Sequence, residues 1–148
     1  KLINDNILNL NNYFEKNSFD VIVTNPPYKK RETGIENQDK RKLISRHEMK
    51  ASLEDFIKIS KDMLKDKGEI YIVHRPERLV DLLTTMRNYK IEPKKIRLVY
   101  SNINAVPKLV LVQGIKNARP FLKMEKNLYV YNENGEYTDE ILKIYNKK

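Results

Sequence analysis

The sequence predicts an α/β fold in which parallel strands are covered by helices and followed by a C-terminal antiparallel hairpin. Three observations predict it. Short apolar, β-branched runs alternate with stretches of helical periodicity, the pattern of strand–helix–strand units on a parallel sheet. The runs end at breaker residues such as Asn25-Pro26-Pro27, Gly68 and Arg75-Pro76. Near the end, two strand-like runs are separated by a short segment holding Pro107, for which a hairpin is the simplest connection.

Residues 1–10 read as the tail of a strand and a turn, with Asp5 just after the strand. Residues 11–17 form a polar linker that holds Tyr13 and Phe14. Phe19–Thr24 (Phe-Asp-Val-Ile-Val-Thr) has the look of a buried parallel strand, apolar on both faces, and stops at Asn25-Pro26-Pro27-Tyr28. Residues 29–46 show no periodicity, and loops this long in compact domains are usually functional or disordered. Residues 47–65 are expected to be a helix, with Met49, Leu53, Phe56, Ile57, Met63 and Leu64 at helical spacing and Gly68 at or just past its C-cap. Residues 69–74 form the next strand. Pro76 then opens a helix with the stripe Leu79, Leu82, Leu83 and Met86. The hairpin strands are residues 96–100 and 109–115. A short strand at residues 128–131, a turn at Asn134-Gly135 and a helix N-capped by Thr138 and running through Tyr145 complete the chain.

The 148 residues suit one domain, and 40% apolar content suffices for a core. There is no cysteine, and His47 and His74 alone make no zinc site, so no metal is expected. No uninterrupted apolar run reaches the roughly 18 residues of a membrane span, and no signal peptide is visible. A reducing, cytoplasmic setting without a membrane partner is therefore expected. The net charge of +9 points to a polyanion, against the plainer alternative of an ordinary lysine-rich surface.

Asn25-Pro26-Pro27-Tyr28 is the most informative stretch. Ligands of doubly wound sheets bind beyond the carboxyl ends of strands, and this corner sits at such an end. The residue types fit methyl transfer to an exocyclic amine. The amine of adenine is a poor nucleophile because its lone pair is delocalised into the ring. Two acceptors around its hydrogens, the Asn25 side-chain oxygen and the Pro26 carbonyl, can turn that lone pair toward a sulfonium methyl. The prolines fix φ, lack an N–H and hold the preceding residues extended, so the carbonyl is aimed in advance. Tyr28 offers a face for a flat base. The competing reading is a plain Asn-Pro turn after a strand.

At this corner the chain resembles class I amino-methyltransferases, whose fold is Rossmann-like and whose Asn/Asp-Pro-Pro-aromatic motif follows the fourth strand. Ser45-Arg46-His47-Glu48, Val73-His74-Arg75-Pro76-Glu77-Arg78-Leu79, Glu92-Pro93-Lys94-Lys95-Ile96 and Asn134-Gly135-Glu136-Tyr137-Thr138 narrow the resemblance to the tRNA(Val) adenine-37 N6-methyltransferase family. The resemblance covers nearly the whole chain. It implies S-adenosylmethionine as cofactor and Asn25, Pro26, Pro27 and Tyr28 as the catalytic motif. It places Asp5, with Asn25, at the cofactor. The chain has four scattered glycines (Gly34, Gly68, Gly114 and Gly135) and no Gly-rich loop. The resemblance therefore implies a single domain, the C-terminal portion of the catalytic domain, without the Gly-rich cofactor-binding half. Such a fragment is expected to be inactive alone, and to self-associate or stay bound to an N-terminal fragment.

Lys29, Lys30, Arg31, Lys40, Arg41, Lys42 and Arg46 make the loop after the motif basic, and with Arg75 they are candidates to grip RNA, tRNA by the resemblance. A solvated loop is the alternative. His74 reads as a structural histidine at the strand end. Arg75, Glu77 and Arg78 read as an ion-pair network fixing the following loop. Tyr71, Tyr89 and Tyr129 read as packing residues. Glutamine methylation of a protein through the same motif, or a non-catalytic RNA-binding module, are the competing functions. The basic loop favours RNA over a peptide.

Overall fold

The computed structural model describes residues 2–28 and 51–146. Its elements are β1 (Phe19–Thr24), α1 (Leu53–Met63), β2 (Leu64–His74), α2 (Leu79–Asn88), β3 (Ile91–Tyr100), β4 (Pro107–Lys116), β5 (Lys123–Met124), β6 (Leu128–Tyr129) and α3 (Asp139–Ile144). A short 3-10 helix, Ile7–Asn12, precedes β1, and another, Pro76–Arg78, leads into α2.

The six strands form one sheet in the order β1-β2-β4-β3, with β5 and β6 pairing successive stretches of the outer edge of β3. β1 and β2 run parallel, as a strand–helix–strand unit demands, with Thr24 opposite Ile72. β4 lies antiparallel to both β2 and β3, so the hairpin inserts its second strand between β2 and β3. The sheet is mixed, with the parallel pair and the antiparallel hairpin that the sequence predicts.

The core lies on one face. Alternate strand residues Ile70, Ile72, Ile96, Val110 and Val112 meet Ile57 of α1 and Leu82 and Met86 of α2, all buried. The expected stripe of α2 is present, with Leu79 and Leu83 packed at its margin. A smaller cluster on α3, β3 and β6 joins Ile141, Val99 and Leu128.

Four expectations need correction. Residues 2–6 form no strand. Asn6 instead caps the 3-10 helix by accepting from the Leu8 N–H at 3.1 Å. α1 starts at Leu53, behind a capping box in which Ser52 and Asp55 exchange hydrogen bonds, and it ends at Met63; residues 47–50 lie outside the described residues. Gly68 is not its cap. Leu64 already belongs to β2, Lys67 takes the left-handed conformation at φ 61°, and Gly68 lies inside the strand. A Cβ on Gly68 would stand 3.1 Å from the Asp20 carbonyl oxygen, so close strand approach explains the glycine. Finally, β1 is not buried on both faces: Val21 and Val23 are exposed, and the strand pairs with β2 alone among the described residues.

Candidate active site

Because β1 and β2 are parallel and in register, their carboxyl ends finish side by side. Thr24 opposite Ile72 brings the Asn25–Tyr28 corner against His74 and Arg75. Pro26 is fully buried and anchors the turn, while Asn25 and Pro27 are exposed and Tyr28 is half-buried. The rigid φ of each proline holds this alternation of inward and outward residues.

Tyr28 is held from several directions. Its hydroxyl donates to Asn25 Oδ1 at 2.7 Å. Its ring meets His74 edge to face, with centroids 5.3 Å apart. The Arg75 guanidinium lies over the ring, 5.4 Å from its centroid. Its carbonyl oxygen accepts from Arg78 Nη1 at 3.2 Å. Arg78 is itself fixed by Asp81, with Nε and Nη2 each 3.0 Å from Oδ2.

The bond from Tyr28 orients the Asn25 amide but leaves acceptor capacity. An amide oxygen has two lone pairs, so one remains for an incoming N–H. The Pro26 carbonyl, the second acceptor expected from the sequence, belongs to a buried residue.

His74 is fully buried and its Nδ1 accepts the Arg75 N–H at 2.9 Å. Burial first, with the nearby Arg78 cation as a smaller contribution, pushes its pKa below 6.5. It is a neutral packing surface for Tyr28, as the structural reading expects. The expected ion-pair network is narrower than Arg75, Glu77 and Arg78: Arg78 pairs with Asp81, and Arg75 turns to Tyr28 and the Lys108 carbonyl, 3.5 Å away. The tie from Arg78 to the motif escaped sequence reasoning, since the two positions are 50 residues apart.

Asp5 is exposed and accepts from the Asn6 N–H at 2.6 Å, Asn9 Nδ2 at 2.8 Å and the Tyr13 hydroxyl at 2.6 Å. The Tyr13 bond first, then those from Asn9 and Asn6, hold its carboxyl below the usual range. A carboxylate offers about four lone-pair sites, so one further donor fits. Lys29, Lys30, Arg31, Lys40, Arg41, Lys42 and Arg46 lie outside the described residues. Among the described residues no group of three or more His, Cys, Asp or Glu side chains could hold a metal, and no helix is long and apolar enough to cross a membrane.

Residues 2–106 match the family model of the Eco57I restriction-modification methylase. The chain belongs to the Eco57I restriction-modification methylase family. Within the Eco57I match lie the Asn25–Tyr28 corner, the β1–β2 unit and both arginines after β2.

Relatives agree with the methylase assignment. The chain is 28% identical over 131 residues to the tRNA1(Val) (adenine(37)-N6)-methyltransferase of Parabacteroides distasonis, covering 88% of this chain and 54% of that protein. It is 24% identical over 124 residues to the enzyme of that name from Mannheimia succiniciproducens, covering 84% of this chain and 48% of that protein. With the Porphyromonas gingivalis protein of that name the figures are 28% over 93 residues, 63% and 36%. The chain thus spans between about a third and a half of the length of these curated relatives.

Among solved structures, a protein classed as an O-methyltransferase from Agrobacterium tumefaciens superposes with a TM-score of 0.72 at 16% identity, over 94% of this chain and 56% of that one. A protein named as a DNA modification methylase from Thermus thermophilus, complexed with S-adenosyl-L-methionine, gives 0.58 at 10% identity, over 96% of this chain and 71% of that one. The fold is class I methyltransferase-like.

Proposed function

We infer that this chain carries the amine-binding corner of an S-adenosylmethionine-dependent methyltransferase acting on N6 of an adenine in RNA, tRNA by the relatives' names. The observation that carries the reading is the exposed Asn25 oxygen beside a buried Pro26 and a supported Tyr28 ring, at the carboxyl end of β1.

The cofactor supplies an electrophilic methyl group on a sulfonium centre. The chain's own residues do the rest. Asn25 Oδ1 and the Pro26 carbonyl accept the two amine hydrogens and turn the nitrogen lone pair out of conjugation. Tyr28 stacks on the base and fixes its plane. No strong general base is required, since the proton leaves after transfer. Asp5, with acceptor capacity left on its carboxylate, and Asn25 are the residues offered to the cofactor. Lys29, Lys30, Arg31, Lys40, Arg41, Lys42, Arg46 and Arg75 are the residues offered to RNA, in keeping with the net charge of +9.

Asn25→Ala in the full-length protein tests the reading with labelled S-adenosylmethionine and adenine-containing RNA. The lost acceptor matters chiefly in the reacting geometry, so kcat should fall by about 10²–10³ with the fold intact. Unchanged turnover would remove the motif from the mechanism.

A further inference from the structure

The two arginines after β2 are held very differently. The Arg78 side chain is 19% exposed, shared between Asp81 and the Tyr28 carbonyl, and so fixes the backbone of the motif. Arg75 is exposed, and its Nη1 reaches the Lys108 carbonyl at 3.5 Å, the outer limit of a hydrogen bond. Its guanidinium nevertheless lies over the Tyr28 ring at 5.4 Å.

Tyr28 therefore has a firm support and a loose cover. Buried His74 packs against the ring and Asn25 holds its hydroxyl. The cover is a flat, weakly hydrated cation whose donors all lie in its plane, which leaves its faces free to stack. A base between two stacking planes needs about 3.4 Å on each side, roughly 6.8 Å in all. The separation of 5.4 Å is short of this by about 1.4 Å. A small rotation of an exposed side chain supplies that distance.

We propose that Arg75 is the second wall of a base slot. A flat purine enters between its guanidinium and the Tyr28 ring, with its amine toward Asn25 Oδ1 and the Pro26 carbonyl. The proposal rests on the adenine-methylation reading and narrows its substrate. Both faces of the base must be free, so the slot takes an unstacked nucleotide in a single-stranded or looped RNA rather than one inside a duplex. The guanidinium acts through its plane, and its charge alone would not serve.

Arg75→Ala and Arg75→Lys, made in the full-length protein, separate plane from charge. The probes are an oligouridine RNA carrying one 2-aminopurine, whose fluorescence is quenched on stacking, and the same RNA carrying one adenine for methyl transfer. The unaltered protein should quench the probe. Both variants should lose the quenching and raise KM roughly tenfold, with a smaller change in kcat. Recovery of wild-type quenching and KM by Arg75→Lys would show a simple charge contact and overturn the slot. So would wild-type behaviour of Arg75→Ala, with the methylation reading left standing. Absence of methyl transfer by the unaltered protein would sink the reading and the slot together.

Discussion

At His74 the chain places an imidazole out of reach of water, directly under the ring that the site presents. Burial pushes its pKa below 6.5, so the folded chain releases that proton before the unfolded chain does. Between the two values the unfolded chain binds the proton and the folded chain does not. Stability is therefore complete above about pH 6.5 and falls as the pH drops toward the lowered value, by up to about 1.4 kcal/mol per pH unit. Asp5 and Glu69, whose carboxyls are also held low, titrate below 4.5 and outside this window. His74→Asn keeps an acceptor for the Arg75 N–H and removes the titration. Urea midpoints at about pH 7.5 and about pH 5.5 should show a smaller loss in His74→Asn than in the unaltered chain. Equal losses would mean that His74 binds its proton equally in the folded and the unfolded chain. The same residue marks how much of the site was legible. Asn25, Pro26, Pro27 and Tyr28 could be read because consecutive residues at a strand end carry the chemistry. The support from Arg78 and Asp81 could not, because nothing local in the sequence says which carbonyl an arginine will reach.

The elements follow the same division. β1 and β2 were legible as apolar runs, and Thr138 and Gly135 as cap and turn. β3 is longer than the expected residues 96–100, although proline is disfavoured inside a strand. The structure accommodates Pro93 at a register shift beside Lys95, so the strand starts at Ile91. The packing of β4 against α2 turns on one glycine. A Cβ at Gly114 would lie 2.3 Å from Met86 Cε, 2.7 Å from Ile91 Cγ2 and 3.2 Å from Ile70 Cγ2. Met86 can swing its flexible end aside. Ile91 branches at Cβ and is fully buried, so it moves only with its backbone. Gly114→Ala should therefore destabilise the chain by about 1–3 kcal/mol through overpacking. The urea midpoint should drop with an unchanged slope. An unchanged midpoint would show that α2 lifts off the sheet freely.

On the scale of the whole molecule, one face of the sheet carries the core and the other stays open along β1 and β2. Val21 is 51% and Val23 75% exposed, and Tyr71 lies beside them at 40%. A cavity of about 290 Å³ opens on that face between Val23, Tyr71, Val73, Lys95, Arg97 and Gln113. Among the described residues β1 also has no partner on its outer side, which leaves a row of backbone donors and acceptors free to pair with another chain. An apolar face next to an open edge should drive the 148-residue chain to self-associate when produced alone. The net charge of +9 works against this, since two copies repel over about 10 Å in dilute salt. Added salt should therefore strengthen the association by screening the repulsion while leaving the apolar contact intact. Val23→Lys should weaken it by placing a charge on the open face of the edge strand. Sedimentation velocity at low and high salt on both chains measures these effects. A monomer under all conditions, or dissociation on adding salt, would show that the open face and edge do not govern how the chain assembles.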